Sequence, residues 1–177
     1  MSTLETNLIQ PASGTTLTVG ASGDTITVPS GATINLSAAT QTGVGGVNTP
    51  AFKAYMSADQ NPSDNSWTKV NFDTEVFDTN SMYDTAAYRF TPTVAGKYFV
   101  YTLLMIESLT AKRLEYVNVA LYKNGSIELR TTAVYSADNV SWQGTGVVST
   151  VIEFNGSSDY VESYARVKTF SGSTKID

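Results

Sequence analysis

Residues 98–106 decide the fold of this chain, and they read Tyr-Phe-Val-Tyr-Thr-Leu-Leu-Met-Ile. Aromatic and aliphatic residues in an unbroken run of this length favour a β-strand. Side chains alternate along a strand, so Phe99, Tyr101 and Leu103 share one face. An antiparallel strand of an isolated sandwich has a polar outer face, whereas both faces are apolar here. The run therefore predicts one face in the core and one face covered by a second copy of the protein.

Other strand candidates surround this run, and no stretch between them shows helical spacing of apolar residues. The pattern predicts an all-β, antiparallel sandwich. The predicted strands cover residues 51–57, 69–70, 88–90, 97–107, 116–123, 126–134, 146–154 and 160–169.

Two turns have clear sequence signatures. Asn124-Gly125 lies between two β runs and predicts a tight hairpin turn with positive φ values. Gly156, in Asn-Gly-Ser-Ser-Asp (155–159), predicts a second turn between two further strands.

The last long strand also has two distinct rows. Val161, Ala165 and Val167 belong to a small, core-facing row, whereas the outer row contains Tyr160 and Tyr164. Tyrosines bordered by charges are typical of the rim of an interface. We therefore assign Tyr160 and Tyr164, together with Phe99, Tyr101 and Leu103, to a subunit interface. Ordinary surface tyrosines are the alternative.

The N-terminal part has a different composition, because residues 1–51 contain no aromatic residue and no Lys or Arg. We interpret residues 1–49 as a β-rich arm and residues 50–177 as the head domain. Aliphatic residues alternate with polar ones in three short triplets, which predicts short strands that need a partner surface. The alternative is a flexible linker. We assign attachment to the aliphatic residues of these triplets: Leu17, Val19, Ile26, Val28, Ile34 and Leu36.

Composition excludes several kinds of chemistry. The chain has no Cys and no His, so it lacks the residues of the common catalytic triads and zinc sites. We predict no catalytic residue, no metal and no cofactor. The net charge of −5 disfavours nucleic-acid binding. The beginning of the chain does not resemble a secretory signal, and no apolar run reaches membrane-spanning length, so we predict no membrane insertion.

Two weaker patterns keep alternatives open. The acidic stretch with Asp73, Glu75, Asp78 and Asp84 could supply glycosidase carboxylates or oxygen ligands for Ca²⁺, although solvated loops are the simpler interpretation. Trp67 and Trp142 are more often core or interface anchors than platforms for a sugar.

Five motifs in the head resemble the trimeric jelly-roll superfamily of complement-one-q and tumour necrosis factor. They occur in family order over most of residues 52–172. They read Asp-Thr-Asn (78–80) with Tyr-Asp (83–84), Phe-Thr-Pro-Thr-Val-Ala-Gly-Lys-Tyr (90–98), Leu-Tyr-Lys-Asn-Gly (121–125), Gly-Ser-Ser-Asp-Tyr-Val (156–161) and Thr-Phe-Ser-Gly (169–172). The resemblance implies a ten-strand jelly roll that forms homotrimers and has no enzymatic site. The family's collagen stalk is absent.

The arm is similar to the N-termini of fibre-type proteins of tailed phages. The combination suggests a non-enzymatic protein on the virion surface, made in the host cytoplasm. The expected partners are further copies of the chain and a major capsid protein or another virion protein. The favoured role is a capsid decoration, cement or head-fibre protein. The alternatives are a short tail fibre or fibre tip that binds a host receptor, and a soluble module that recognises sugars or proteins.

Overall fold

The computed structural model describes residues 9, 11, 13–34, 50–109, 114–135 and 141–177. Contacts within the chain divide it into two compact units, Met1–Gly45 and Gly46–Asp177. All strands of the described residues lie in the second unit, and no helix occurs among them. None of this described chain forms a helix of the length and apolarity needed to cross a membrane.

The head contains eleven strands among its described residues. They are β1 (Phe52–Tyr55), β2 (Thr68–Lys69), β3 (Thr74–Asp78), β4 (Tyr83–Asp84), β5 (Arg89–Phe90), β6 (Gly96–Ser108), β7 (Leu114–Lys123), β8 (Ser126–Val134), β9 (Gln143–Phe154), β10 (Val161–Thr169) and β11 (Thr174–Ile176). All paired strands are antiparallel. The prediction of an all-β, antiparallel jelly-roll sandwich is confirmed.

Two larger sheets form the sandwich. A three-stranded sheet has the order β11-β6-β9, and a six-stranded sheet has the order β4-β5-β10-β7-β8, with β2 also paired to β10. A separate two-stranded sheet joins β1 to β3. The backbone of Gln60 pairs with Ile176, so the chain after β1 runs beside β11.

The core lies between the two larger sheets. Leu104 and Ile106 of β6 face Val119 of β7 and Val167 of β10, and all four are almost completely buried. Aromatic rings close one end of this core. Phe52 stacks on Phe90 and on Tyr83 with centroid distances of 4.5 and 4.8 Å, while Phe154 meets Phe90 edge to face. Burial of this apolar surface is the main force that stabilises the head.

The structure differs from the predicted strands in several places. β3, β4 and β11 were not predicted, because two of them have only two or three residues and β3 is largely exposed. Tyr88, predicted as part of a strand, has a φ of 54° and belongs to the turn before β5. The strand predicted to begin at residue 146 begins at Gln143.

The strands predicted for the arm against a partner surface stay a prediction, and residues 35 and 36 of the third triplet lie outside the described residues. Residues 13–34 form turns but no strand; one turn closes with a hydrogen bond from the Asp24 amide to the Ala21 carbonyl, and another links Ala32 to Pro29. Without a partner surface, two aliphatic side chains per triplet cannot stabilise a strand.

A close approach between β9 and β7 generates a stability prediction. A Cβ at Gly146 would lie 2.1 Å from Cγ2 of the fully buried Val119, so Gly146→Ala forces the sheets apart. We expect a loss of about 1–3 kcal/mol in the free energy of unfolding, measured by denaturant titration. Gly96→Ala is the control, because its Cβ would meet Tyr98 at an ordinary 3.7 Å. Equal stability of the two variants would contradict the packing described here.

Candidate assembly interface

An apolar stripe crosses the outer face of the three-stranded sheet. It consists of Phe99, Tyr101 and Leu103 on β6 and of Val147 and Val151 on β9. The side chains of Phe99, Tyr101 and Leu103 are 71%, 54% and 48% exposed. Phe99 pairs with Val151 and Leu103 pairs with Val147, so the five residues lie side by side. A contiguous apolar surface of this kind is typical of a protein contact.

The opposite face of β6 explains why the stripe cannot turn inward. Val100, Leu104 and Ile106 alternate with the stripe residues and are buried in the core. Thr102 is also buried, and its hydroxyl lies 3.1 Å from that of Ser163 on β10. The predicted two-faced character of this strand is therefore confirmed, while the covering of the outer face by a second copy stays a prediction.

The structure separates the five residues that we assigned to one interface. Tyr164 lies on β10 and Tyr160 directly precedes it, so both belong to the six-stranded sheet. Because the two sheets pack core face to core face, the outer face of β10 and the apolar stripe lie on opposite sides of the sandwich. Phe99 and the two tyrosines therefore lie on different faces of the head. The assignment of Tyr160 and Tyr164 to a subunit interface stays a prediction, because each subunit of a closed ring contacts its two neighbours through different surfaces.

A cleft of about 620 Å³ borders the stripe between β1 and β6. Phe52, Met56 and Phe72 form part of its wall, and Thr102 and Ser163 provide hydroxyl groups. β11 pairs with β6 only over Thr174–Ile176, and the Asp177 amide then donates to the Met105 carbonyl at 2.8 Å. Within the described part of the chain, no strand pairs with that edge of β6 from Gly96 to Leu104.

Charged residues mark one end of the stripe. The Lys175 ammonium contacts carboxylates of Asp59, Glu107 and Asp177 at 2.9, 3.3 and 3.3 Å. Hydrogen bonds to these carboxylates, first to that of Asp59, raise the pKa of Lys175. The contact between the carboxyl groups of Asp177 and Asp59 raises the pKa of Asp177. This charged group limits the apolar surface at its β11 end.

The two predicted turns have the expected backbone. Asn124 and Gly125 have φ values of 51° and 78°, as a type I′ hairpin turn requires. Gly156 has a φ of 71°, and a Cβ there would lie 2.3 Å from the Ala95 amide nitrogen. Conformation and space both require glycine at residue 156.

Asp159 joins the two turns, which was not predicted. Its carboxylate accepts hydrogen bonds from the Asn124 side-chain amide at 2.7 Å and from the Asn155 backbone amide at 3.0 Å. The same carboxylate pairs with Lys123 at 3.1 Å. These hydrogen bonds, first the one from Asn124, lower the pKa of Asp159. The spacing from Asn155 to Asp159 is the sequence signal that could have indicated the hydrogen bond between these two residues.

The family match covers most of this head. The C1q domain family matches residues 51–172, which is more than half of the chain. The chain belongs to the C1q domain family. No curated protein matches the chain. C1q domains are β-sandwich modules with recognition or structural roles; they typically form homotrimers and are generally non-enzymatic.

Carboxylates of the acidic stretch of this C1q domain accept hydrogen bonds from neighbouring parts of the chain. The Asp73 carboxylate accepts hydrogen bonds from the Ser57 amide and hydroxyl, and the Asp84 carboxylate accepts from the amides of Ala86 and Ala87. These contacts lower the pKa of both carboxyl groups. Among the described residues, no three His, Cys, Asp or Glu side chains are placed to hold a metal ion.

The first prediction from this surface concerns assembly. Tyr101→Asp should reduce the fraction of oligomer strongly, because a charge in the middle of a dry contact has no partner. Val94→Asp is the control, since Val94 lies outside the stripe and is 51% exposed, nearly the same as Tyr101. Sedimentation velocity at matched concentrations gives the oligomer fraction. If both variants assemble equally, the stripe is not the contact.

The second prediction concerns pH. The lowered pKa of Asp159 means that its contacts stabilise the fold above the pKa of an unfolded Asp and are lost as pH falls through the folded value. Asp159→Asn should therefore melt at a lower temperature than the wild type near neutral pH. The difference should shrink as pH falls from about 6 to about 2.5. A difference that calorimetry finds constant over this range would exclude the role given to the carboxylate.

Proposed function

We propose that this protein is a non-enzymatic homotrimer on the surface of a tailed-phage virion, where it acts as a capsid decoration, cement or head-fibre protein. The observation that supports the proposed trimer is the apolar stripe on β6 and β9. The family supports it, because C1q domains typically form homotrimers.

Burial of the apolar stripe would favour such a contact. Complete burial of a side chain such as Phe99 or Leu103 contributes about 1.5–3 kcal/mol. In a closed assembly each subunit supplies the same residues, so the contribution is repeated around the symmetry axis. The adjoining cleft provides further apolar surface for the neighbouring copy.

The arm is the proposed attachment element. Leu17, Val19, Ile26, Val28 and Ile34 are all exposed, and Leu36 lies outside the described residues. Glu5 and Asp24 are the only charged residues between 1 and 45. Such an arm can bind through backbone hydrogen bonds and small aliphatic contacts, as in the addition of a strand to another protein's sheet. We propose the major capsid protein or another virion protein as its partner.

A tail-fibre role or a soluble recognition role is the second candidate. It is favoured by a cluster of half-buried aromatic side chains on the outer face of the six-stranded sheet, away from the stripe: Trp67, Tyr122 and Tyr164. The number of copies per particle separates the virion roles. Hundreds of copies indicate capsid decoration, whereas a few dozen or fewer indicate the tail.

Deletion of residues 1–45 tests whether the arm attaches the protein to the virion while the head folds and assembles without it. We expect a folded, trimeric head with an unchanged melting temperature, because every aromatic residue of the chain lies beyond the deletion. The truncated head should fail to sediment with virions that lack the native protein. Binding at the wild-type ratio would show that the arm is not the anchor.

Point variants test whether the aliphatic side chains of the arm make the attachment. Leu17→Asn with Ile26→Asn should reduce co-sedimentation with virions, since the proposed contacts are aliphatic. Thr18→Asn with Thr27→Asn is the matched control, because it alters polar positions of the same triplets. Equal loss in both pairs would argue against aliphatic attachment.

A further inference from the structure

The outer face of the six-stranded sheet carries an aromatic platform formed by Trp67, Tyr122 and Tyr164. The rings of Tyr122 and Tyr164 stack with a centroid distance of 4.0 Å, and Trp67 meets Tyr122 edge to face at 5.7 Å. The strand neighbours Leu121 and Ala165 are buried in the core, so the two tyrosines point away from it. All three rings are half-buried and keep part of their surface in contact with solvent.

The platform is already ordered by its own contacts. The Tyr164 hydroxyl donates a hydrogen bond to a carboxylate oxygen of Glu162, and Glu162 pairs with Lys69 at 2.6 Å. Burial of the ring and the Glu162 charge raise the pKa of Tyr164 to about 12, so the hydroxyl stays a neutral donor. Rings that are fixed before binding lose little conformational entropy when a ligand covers them.

Two arginines lie beside the platform. Arg130 on β8 is in register with Ala120, which is in register with Tyr164, so only one small side chain separates Arg130 from the tyrosine across the sheet. Arg166 lies two residues further along β10, where the Asn65 side-chain oxygen accepts hydrogen bonds from its Nε and Nη2 at 2.9 and 2.6 Å. The positive charges of both arginines act on Tyr122 and oppose the increase that burial causes in its pKa.

These two guanidinium groups are not neutralised. Among the described residues, the lysines of this sheet have carboxylate partners: Lys69 with Glu162, Lys123 with Asp159 and Lys168 with Glu115. In the same part of the chain, no carboxylate forms an ion pair with Arg130 or Arg166. The protein has a net charge of −5, so this local excess of positive charge differs from the molecule as a whole. Glu128, exposed beside the bulge of β8, is a nearby acid that opposes it.

We propose that this face binds a saccharide that carries carboxylate groups, such as a chain of uronic acid units. The aromatic platform would contact the apolar face of a sugar ring, because flat rings bury a large area at low entropic cost. A guanidinium group presents paired donors that match the two oxygens of a carboxylate. Arg130 is the main partner of the carboxylate, because Arg166 already uses donors on Asn65. Contact through the stripe on the other sheet would leave this face open, so the site goes beyond assembly.

Titration calorimetry on the full-length protein tests this site with two matched probes. The probes are a galacturonate oligosaccharide and its methyl ester, which has the same sugar rings without the charges. We expect binding of the charged oligosaccharide and binding of the ester that is weaker by about tenfold or more. Absence of binding at millimolar oligosaccharide, or equal binding of both probes, would overturn the proposal.

Variants locate the site. Arg130→Gln should weaken binding by about tenfold or more, whereas Lys97→Gln, an equal loss of charge at an exposed residue of β6, should change it less than about twofold. Tyr164→Ala should abolish binding and Tyr164→Phe should retain it, because the ring rather than the hydroxyl contacts the sugar. Melting temperatures show whether each variant is folded. If Tyr164→Ala does not fold, Arg130→Gln still tests the site. Equal losses for Arg130→Gln and Lys97→Gln would refute a defined site.

A third probe tests whether the ligand must be a saccharide. Polyglutamate carries carboxylates of similar spacing but no sugar ring, so it should bind more weakly than the galacturonate oligosaccharide by about tenfold or more. Equal or tighter binding of polyglutamate would mean that the face recognises an acidic peptide, and the saccharide assignment would be wrong. Binding is measured per protomer, so the outcome is independent of whether the head forms trimers.

Discussion

The structure of the head depends on the two apolar faces of β6. One face, with Val100, Leu104 and Ile106, fills the core between the sheets. The other face, with Phe99 and Tyr101, is left in water by a single chain. Neither face can be made polar by a change of register, because a shift by one residue only exchanges the two apolar rows. We propose that a further copy of the chain covers this outer row, because identical subunits provide a cover of the same shape each time.

This constraint gives the two sheets different roles. The outer face of the three-stranded sheet carries the apolar stripe, which ends at the Lys175 group on the β11 side. The six-stranded sheet presents half-buried tyrosines beside Arg130 and Arg166, which form no ion pair within the described part of the chain, and we propose this face as the one that binds a ligand. Close packing joins the sheets, and Gly146 shows how little room remains between β9 and Val119 of β7. One domain can therefore assemble through one side and remain available on the other.

The sequence was sufficient for features that depend on neighbouring residues. Alternation identified the long strands, and Asn124-Gly125 identified its hairpin turn, because both are local consequences of backbone sterics. The motifs in residues 52–172 identified the family. Features that depend on which strands pair could not be predicted. Tyr164 alternates correctly between core and surface, but only the sheet order shows that its surface is not that of Phe99. The contact of Asp159 with Asn124 likewise spans 35 residues of sequence.

We propose that identical subunits cover the outer row of β6. The most direct measurement is the molar mass of the purified wild-type protein by light scattering over a range of micromolar concentrations. We expect a mass three times that of the 19.0 kDa chain, and the mass should not change on dilution through this range. A single species of 19.0 kDa at all these concentrations would contradict it, because the apolar stripe would then be stable in water without a partner.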